Sequence, residues 1–200
     1  MEAFSDGVFA IAITLLVLEV AIPPDRGSDL WAAVAEQWPT YLAYIVSFST
    51  IGGVWIAHSA ITEFLVGVDP ILLRINLVLL LVVAFLPVPT QLLAEYLGSA
   101  AGERVAVTLY GFALLATRLM VLALWKYGVW RRLVHPDMAD EDVAGVSRKL
   151  TPSIAGYTVA IAVGLAFPLL AVSLYLAVSL YLILPFRSIA GVFRRRGAGA

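Results

Sequence analysis

Residues 1–20, MEAFSDGVFAIAITLLVLEV, decide how the rest of this chain is read. Between Asp6 and Glu19 there is no charge, and Thr14 is the only polar residue in that interval. A run this apolar belongs in hydrocarbon. It lacks a basic leader and gives way to Glu19 and Pro23-Pro24 rather than to a small-residue cleavage site. It therefore reads as a retained membrane span and not as a signal peptide. The carboxylate at its head, in Phe4-Ser5-Asp6, is either an ordinary helix start or part of a working device.

Composition extends that reading to the whole chain. Hydrophobic residues make up 62% of the 200 and charged residues 14%, with a mean hydropathy of +0.94. A soluble domain carries roughly a quarter charged residues, so this chain is expected to be an all-α integral membrane protein. A net charge of −1 supplies no basic field for nucleic acid. The absence of cysteine excludes a disulfide framework, a thiolate metal site and a cysteine nucleophile.

A helix needs about 20 mainly apolar residues to cross a bilayer. Spans are expected at 4–22, 40–62, 70–96 and 105–127, with Pro87 and Pro89 loosening the third and Arg118 inside the fourth. Residues 151–184 are uncharged throughout. As one helix they would rise roughly 50 Å, too far for a core of about 30 Å. They divide better into spans at 151–168 and 170–186, folding near Pro168. Residues 1–190 thus form one six-helix domain, and 191–200 a flexible basic tail. With six spans, one side holds Lys126, Arg131, Arg132, Arg148, Lys149, Arg187 and Arg194–Arg196, and the other only Arg26 and Arg104. The positive-inside rule places both termini in the cytoplasm of a multi-pass cell-membrane protein. Two loops carry helix signals of their own: Ser28 and Asp29 precede an apolar stretch, and 136–150 has acids early and bases late, as a helix dipole favours.

This topology gives each buried polar residue a depth. Ser5, Asp6, His58, Asn76 and Arg118 all fall in the inner half of the membrane, where ionisable groups are costly and usually pair. One reading is a network of Ser5, Asp6, His58 and Asn76, with Trp55 one turn from His58, and with Arg118 either joining it or lining a different helix contact. The other is separate satisfaction, with Asp6 as a cap, His58 on a carbonyl and Arg118 reaching to the interface. Catalytic motifs are lacking: there is no HExxH, GxSxG, Walker loop or aspartate pair, so no enzyme is expected. Along the first helix, Ile11, Leu15 and Leu18 share one face, with Thr14 beside them. That stripe alone is compatible with lipid, core or pore.

Resemblance narrows the choice. FSDGVFAIAITLLVLE (4–19) resembles the first helix of the FSD-motif potassium channels, the prokaryotic relatives of transmembrane protein 175. GGVWIAHSAITEF (52–64), with Trp55 and His58, is similar to the family's second helix. RINLVLLLVVAFLPVPTQLLAEY (74–96), with Asn76, Pro87 and Pro89, is similar to the third. The arginine that the family carries four residues before the motif's phenylalanine would fall immediately before Met1. The resemblance implies a homotetramer of six-helix subunits that passes potassium without a carbonyl filter or any cofactor. Ile11 would form the narrowest ring, followed outward by Leu15 and Leu18, with Thr14 supporting selectivity. Phe4, Ser5 and Asp6 would fix the helix through His58 and Asn76. Such an apolar ring closes by dewetting, and an ion cannot follow without losing its shell. Glu19 near the outer mouth is either a ring that concentrates cations or an interfacial glutamate without a flux role. The competing function is an ion- or proton-coupled transporter in which Asp6, His58 and Arg118 form a relay. A non-conducting membrane scaffold is the third possibility.

Overall fold

The computed structural model describes residues 1–20, 30–99 and 102–197, with side chains as far as 183 apart from Glu19. In chain order the helices are α1 (Glu2–Leu15), α2 (Leu30–Glu36), α3 (Trp38–Glu63), α4 (Pro70–Phe85), α5 (Pro87–Tyr96), α6 (Glu103–Trp130), α7 (Asp140–Leu150), α8 (Pro152–Gly164) and α9 (Pro168–Gly197). α1 continues into a 3-10 turn over Leu16–Glu19. The expected first span ends at residue 22, and its last two residues lie outside the described ones, as do Ser28 and Asp29. Among the described residues, Trp38–Glu63, Pro70–Tyr96 and Glu103–Trp130 are long and apolar enough to cross a membrane, and Pro168–Ile183 is a shorter apolar helix.

Proline sets several of the boundaries, because it lacks an N–H and suits the first helical turn. Pro70, Pro87, Pro152 and Pro168 each open a helix. The chain passes from α4 to α5 at Leu86, which keeps helical angles, so the break falls where Pro87 and Pro89 predict it. The uncharged 151–184 run is interrupted between Gly164 and Pro168. α9 stays helical to Gly197, past residue 191 where a flexible tail was expected.

α3 is the central helix, touching α1, α5, α6 and α9, while α6 touches α4, α5 and α8. α8 packs against α9. Gly111 on α6 permits the closest approach: a Cβ there would meet the Tyr175 hydroxyl and lie 2.6 Å from Ile161 Cγ1. α6 ends in a left-handed turn at Arg132 (φ 58°). Arg132 N donates to the Val129 carbonyl and Leu133 N to that of Gly128, the double bond pattern of a Schellman motif. The following residues then pair with the α3–α4 loop, Val66 N donating to Leu133 O and His135 N to Phe64 O, both at 2.9 Å. Both loops therefore lie at one end of the bundle. α7 carries Asp140, Glu141 and Asp142 in its first turn and Arg148 and Lys149 in its last. That is the helix expected from the charge order.

Candidate functional site

α1 divides into two faces. Ser5, Phe9, Ala12 and Leu16 are buried against the chain's own core, spaced to lie along one stripe. That stripe meets α3 and α4. The other face is uncovered, with Phe4 63% exposed, Ile11 61%, Leu15 42% and Leu18 70%. Thr14 is exposed beside them, and its hydroxyl donates to the Ile11 carbonyl at 2.9 Å. Glu19 closes the 3-10 turn, and its side chain lies outside the described residues.

The N-terminal end of α1 is fixed by a hydrogen-bonded chain with a definite direction. Ser5 Oγ donates to the Met1 carbonyl at 3.1 Å, so it is an acceptor for Asn76 Nδ2, also at 3.1 Å. With its nitrogen donating, Asn76 presents Oδ1 to His58 Nε2 at 2.8 Å. Amide oxygen only accepts, so His58 carries its proton on Nε2. Ser5, His58 and Asn76 are all buried, and the Phe9 ring packs on the imidazole with centroids 5.4 Å apart. A second tie lies at the surface: Trp55 Nε1 donates to Asp6 Oδ1 at 2.8 Å. Phe4 makes no part of this hydrogen-bonded cluster and sits on the exposed face.

The cluster joins α1, α3 and α4 but leaves out Arg118. Arg118 is buried to 1% exposure and its Nε donates to Ser153 Oγ at 2.6 Å, on α8. The reason is the face it occupies: α6 touches both α4 and α8, and this arginine points to the α8 side. Of the expected alternatives, it is the different helix contact that describes it, and neither membership in the Asp6, His58 and Asn76 network nor a snorkelling route to water. A relay of Asp6, His58 and Arg118 likewise has no linking bond among the described residues.

Sequence reading missed two further layers. Ser47 Oγ lies 2.7 Å from Thr90 Oγ1 and 2.8 Å from the Tyr110 hydroxyl, tying α3 to α5 and α6. Thr50 Oγ1 lies 2.7 Å from Ser179 Oγ, which is 3.1 Å from the Tyr157 hydroxyl, tying α3 to α9 and α8. Hydroxyls in hydrocarbon need partners, and Ser47 and Thr50, three apart in an apolar helix, carried that signal. Asp69 was also missed. Its Oδ1 caps α4 by accepting from the amides of Ile71 and Leu72 at 3.0 and 2.7 Å. Its Oδ2 accepts from the Tyr127 hydroxyl at 2.8 Å and lies 3.5 Å from Arg131 Nε. The Leu72 amide foremost, with Tyr127, Ile71 and Arg131, holds this carboxyl below the usual range. The Asp-Pro pair opening an apolar run was its sequence signal.

Among the described residues this is a bundle of helices, three of them long and apolar enough to cross a membrane, with one helix uncovered on one face and pinned by polar bonds at its N-terminal end, an architecture that belongs with integral membrane proteins. The chain is a member of the TMEM175 family of ion channels: residues 1–87 match the family described as endosomal/lysosomal potassium channel TMEM175. It is 41% identical over 169 residues to a potassium channel of Streptomyces collinus, covering 84% of this chain and 81% of that protein. It is 30% identical over 147 residues to the endosomal/lysosomal proton channel TMEM175 of Gallus gallus, covering 68% of this chain and 29% of that one. The fold matches the crystal structure of a lysosomal potassium-selective channel TMEM175 homolog from Chamaesiphon minutus at a TM-score of 0.84 and 34% identity, over 92% of this chain and 95% of the other.

Proposed function

We propose that four copies of this chain form a potassium-preferring leak channel whose pore is lined by α1 and closed by a ring of Ile11 side chains. The observation that carries this is the uncovered face of α1, because the same helix is held on its opposite face by its own subunit. Ile11, Leu15 and Leu18 are left without intrachain cover, in a family of ion channels. Potassium is larger than sodium, has lower charge density and gives up its hydration shell more readily. A narrow apolar ring therefore favours it. Thr14 fits a cation path as well: its proton is committed to the Ile11 carbonyl, so its oxygen has only lone pairs to offer outward.

The accompanying topology has six spans per subunit and both termini in the cytoplasm of a cell membrane. The pairing of the 64–66 and 133–135 strands of loop supports it by bringing the inward-facing loops to one end. The permeant ion is the ligand, and the partners are lipid and three further copies. The test is bilayer recording of the reversal potential under potassium against sodium. Ile11→Ala widens the ring from four sides at once and should raise conductance and weaken potassium preference, and Ile11→Asn should do so more strongly. Val8 packs against the subunit core, so Val8→Ala should leave selectivity unchanged. Folded, tetrameric Ile11 variants with wild-type conductance and selectivity would remove α1 from the ion path.

A further inference from the structure

α6 carries an uncovered face of its own. Val105, Leu109, Phe112 and Leu119 are exposed on it, at spacings that set them in one stripe along the helix, with the small Ala116 and Ala123 in the gaps. The stripe is bounded by cations. Arg104 stands at its start and Lys126 at its end, both exposed, and the helix between them rises about 33 Å, close to the thickness of a bilayer's hydrocarbon core. An apolar face of that length is matched to lipid tails.

The Lys126 end is built up further. Trp130 lies one turn beyond Lys126 on the same side and is 72% exposed, yet its ring is held in place. Tyr127 meets it edge-on with centroids 5.8 Å apart, and the Arg131 guanidinium lies 5.7 Å from its centroid. Asp69 in turn bonds both Tyr127 and Arg131, so Arg131 has its counter-charge. Lys126 and Arg132 are exposed, and among the described residues neither makes an ion pair. Nor does α6 need them as caps: the amides of Arg131, Arg132 and Leu133 already bond the carbonyls of Tyr127, Val129 and Gly128. The acids Glu63 and Asp137 are placed elsewhere, lining a cavity with Phe64 and His135. Phe64 packs on Trp125 and Leu65 stands against Gly128, positions about 100° and 160° around α6 from Lys126.

We propose that this end of α6 seats an anionic phospholipid, with Lys126 and Arg132 on the headgroup phosphate and the Trp130 ring against the glycerol backbone. The acyl chains run back over Leu119 and Phe112. Charge decides the lipid class: two unpaired cations beside a fixed interfacial aromatic suit a negative headgroup, whereas a zwitterionic one brings a cation of its own. The seat lies on α6 and not on α1, so it is separate from the proposed ion path.

The test reconstitutes the full-length protein in mixed phosphatidylcholine and phosphatidylglycerol vesicles, with one or the other lipid brominated on its acyl chains to quench adjacent tryptophan. A cation at an anionic surface is worth roughly a fivefold preference. Brominated phosphatidylglycerol should therefore reach half-maximal quenching at a mole fraction at least about fivefold below that of brominated phosphatidylcholine. Trp130→Phe should abolish the difference, which assigns it to this ring among the five tryptophans. Lys126→Gln combined with Arg132→Gln should bring the two lipids together, while Arg104→Gln, at the other end of the stripe, should not. Excess inorganic phosphate should leave the preference intact; relief by phosphate would reassign the cations to a soluble anion and refute the seat. The proposal is equally overturned by equal quenching in the unaltered protein, or by a preference that survives Trp130→Phe or the double variant. Loss of the preference in Arg104→Gln would mark general charge attraction and refute it too. A Trp130 that neither lipid quenches, as a second copy covering the face would give, also sinks it.

Discussion

Asn76→Ala tests the anchor of α1 most directly. The side chain links two buried groups, accepting from His58 Nε2 at 2.8 Å and donating to Ser5 Oγ at 3.1 Å. Its removal leaves the His58 N–H without an acceptor. Ser5 is affected less, since its hydroxyl still donates to Met1 O. A buried group left unsatisfied costs about 1–3 kcal/mol, whereas coupling across membrane helices averages about 0.6 kcal/mol per bond. Taking one full penalty and one partial, the loss should be about 2–4 kcal/mol. If a kilocalorie shifts a chain of this size by about 2–4 °C, melting falls by roughly 4–16 °C. Ser5→Ala, which breaks only one end, should lose about half as much. Trp55→Phe removes a bond to the half-buried Asp6, at a site 42% exposed on the tryptophan side, and should cost under about 1 kcal/mol. Thermal unfolding of the three variants in one detergent gives the ranking. If Asn76→Ala melts with Trp55→Phe, the buried chain is not what holds α1.

Three further outcomes follow from other contacts. Because Asp69 is held below the ordinary carboxylate value of 3.8, its contribution is full above that value and is lost as pH falls through the lower folded one. Asp69→Asn should therefore melt lower at neutral pH and show a shallower acid limb, measured by thermal unfolding across the acid range. Ser47→Ala should cost about 1–2 kcal/mol, because Tyr110 loses its partner while Thr90 keeps the Leu86 carbonyl at 2.8 Å; a chemical-unfolding midpoint measures it. Gly111→Ala overpacks the α6 contact with Tyr175 and Ile161 and should cost about 1–3 kcal/mol, read as reduced recovery of monodisperse protein.

Much of this architecture was legible because hydrocarbon permits few solutions. Uncharged runs, the proline stops and the charge order of 136–150 each correspond to a physical boundary, and α4, α8, α9 and α7 begin close to those signals. The polar residues at the N-terminal end of α1 were legible for a related reason: Ser5, His58 and Asn76 are too costly in lipid to stand alone. Depth, however, is only one coordinate. Arg118 is expected at the depth of that cluster yet bonds to Ser153 on α8, because which neighbour each face of α6 meets is not written in any one helix. The hydroxyl layers through Ser47 and Thr50 were missed since single serines and threonines can also return their bonds to the preceding turn, as Thr50 does to Val46 at 2.8 Å. Sequence alone does not separate those two uses.

The anchor and the uncovered face are one device seen from two sides. A helix advances about 100° per residue, so with Ser5 turned into the bundle, Phe9, Ala12 and Leu16 fall within about 40° of it. Ile11 and Leu15 then stand roughly 240° and 280° around, on the side the subunit leaves bare. The 3-10 turn eclipses residues three apart, which sets Leu18 above Leu15 and continues the same bare stripe outward. Ser5 and Asp6 make their bonds to different helices, one to Asn76 on α4 and the other to Trp55 on α3. A single bond would leave the helix free to swivel, whereas two at about 100° to each other fix its rotation. The polar residues that looked anomalous at the head of an apolar run thus select which of its side chains the molecule presents. Their chemistry acts at the N-terminal end of α1, and its consequence appears about two turns away at Ile11.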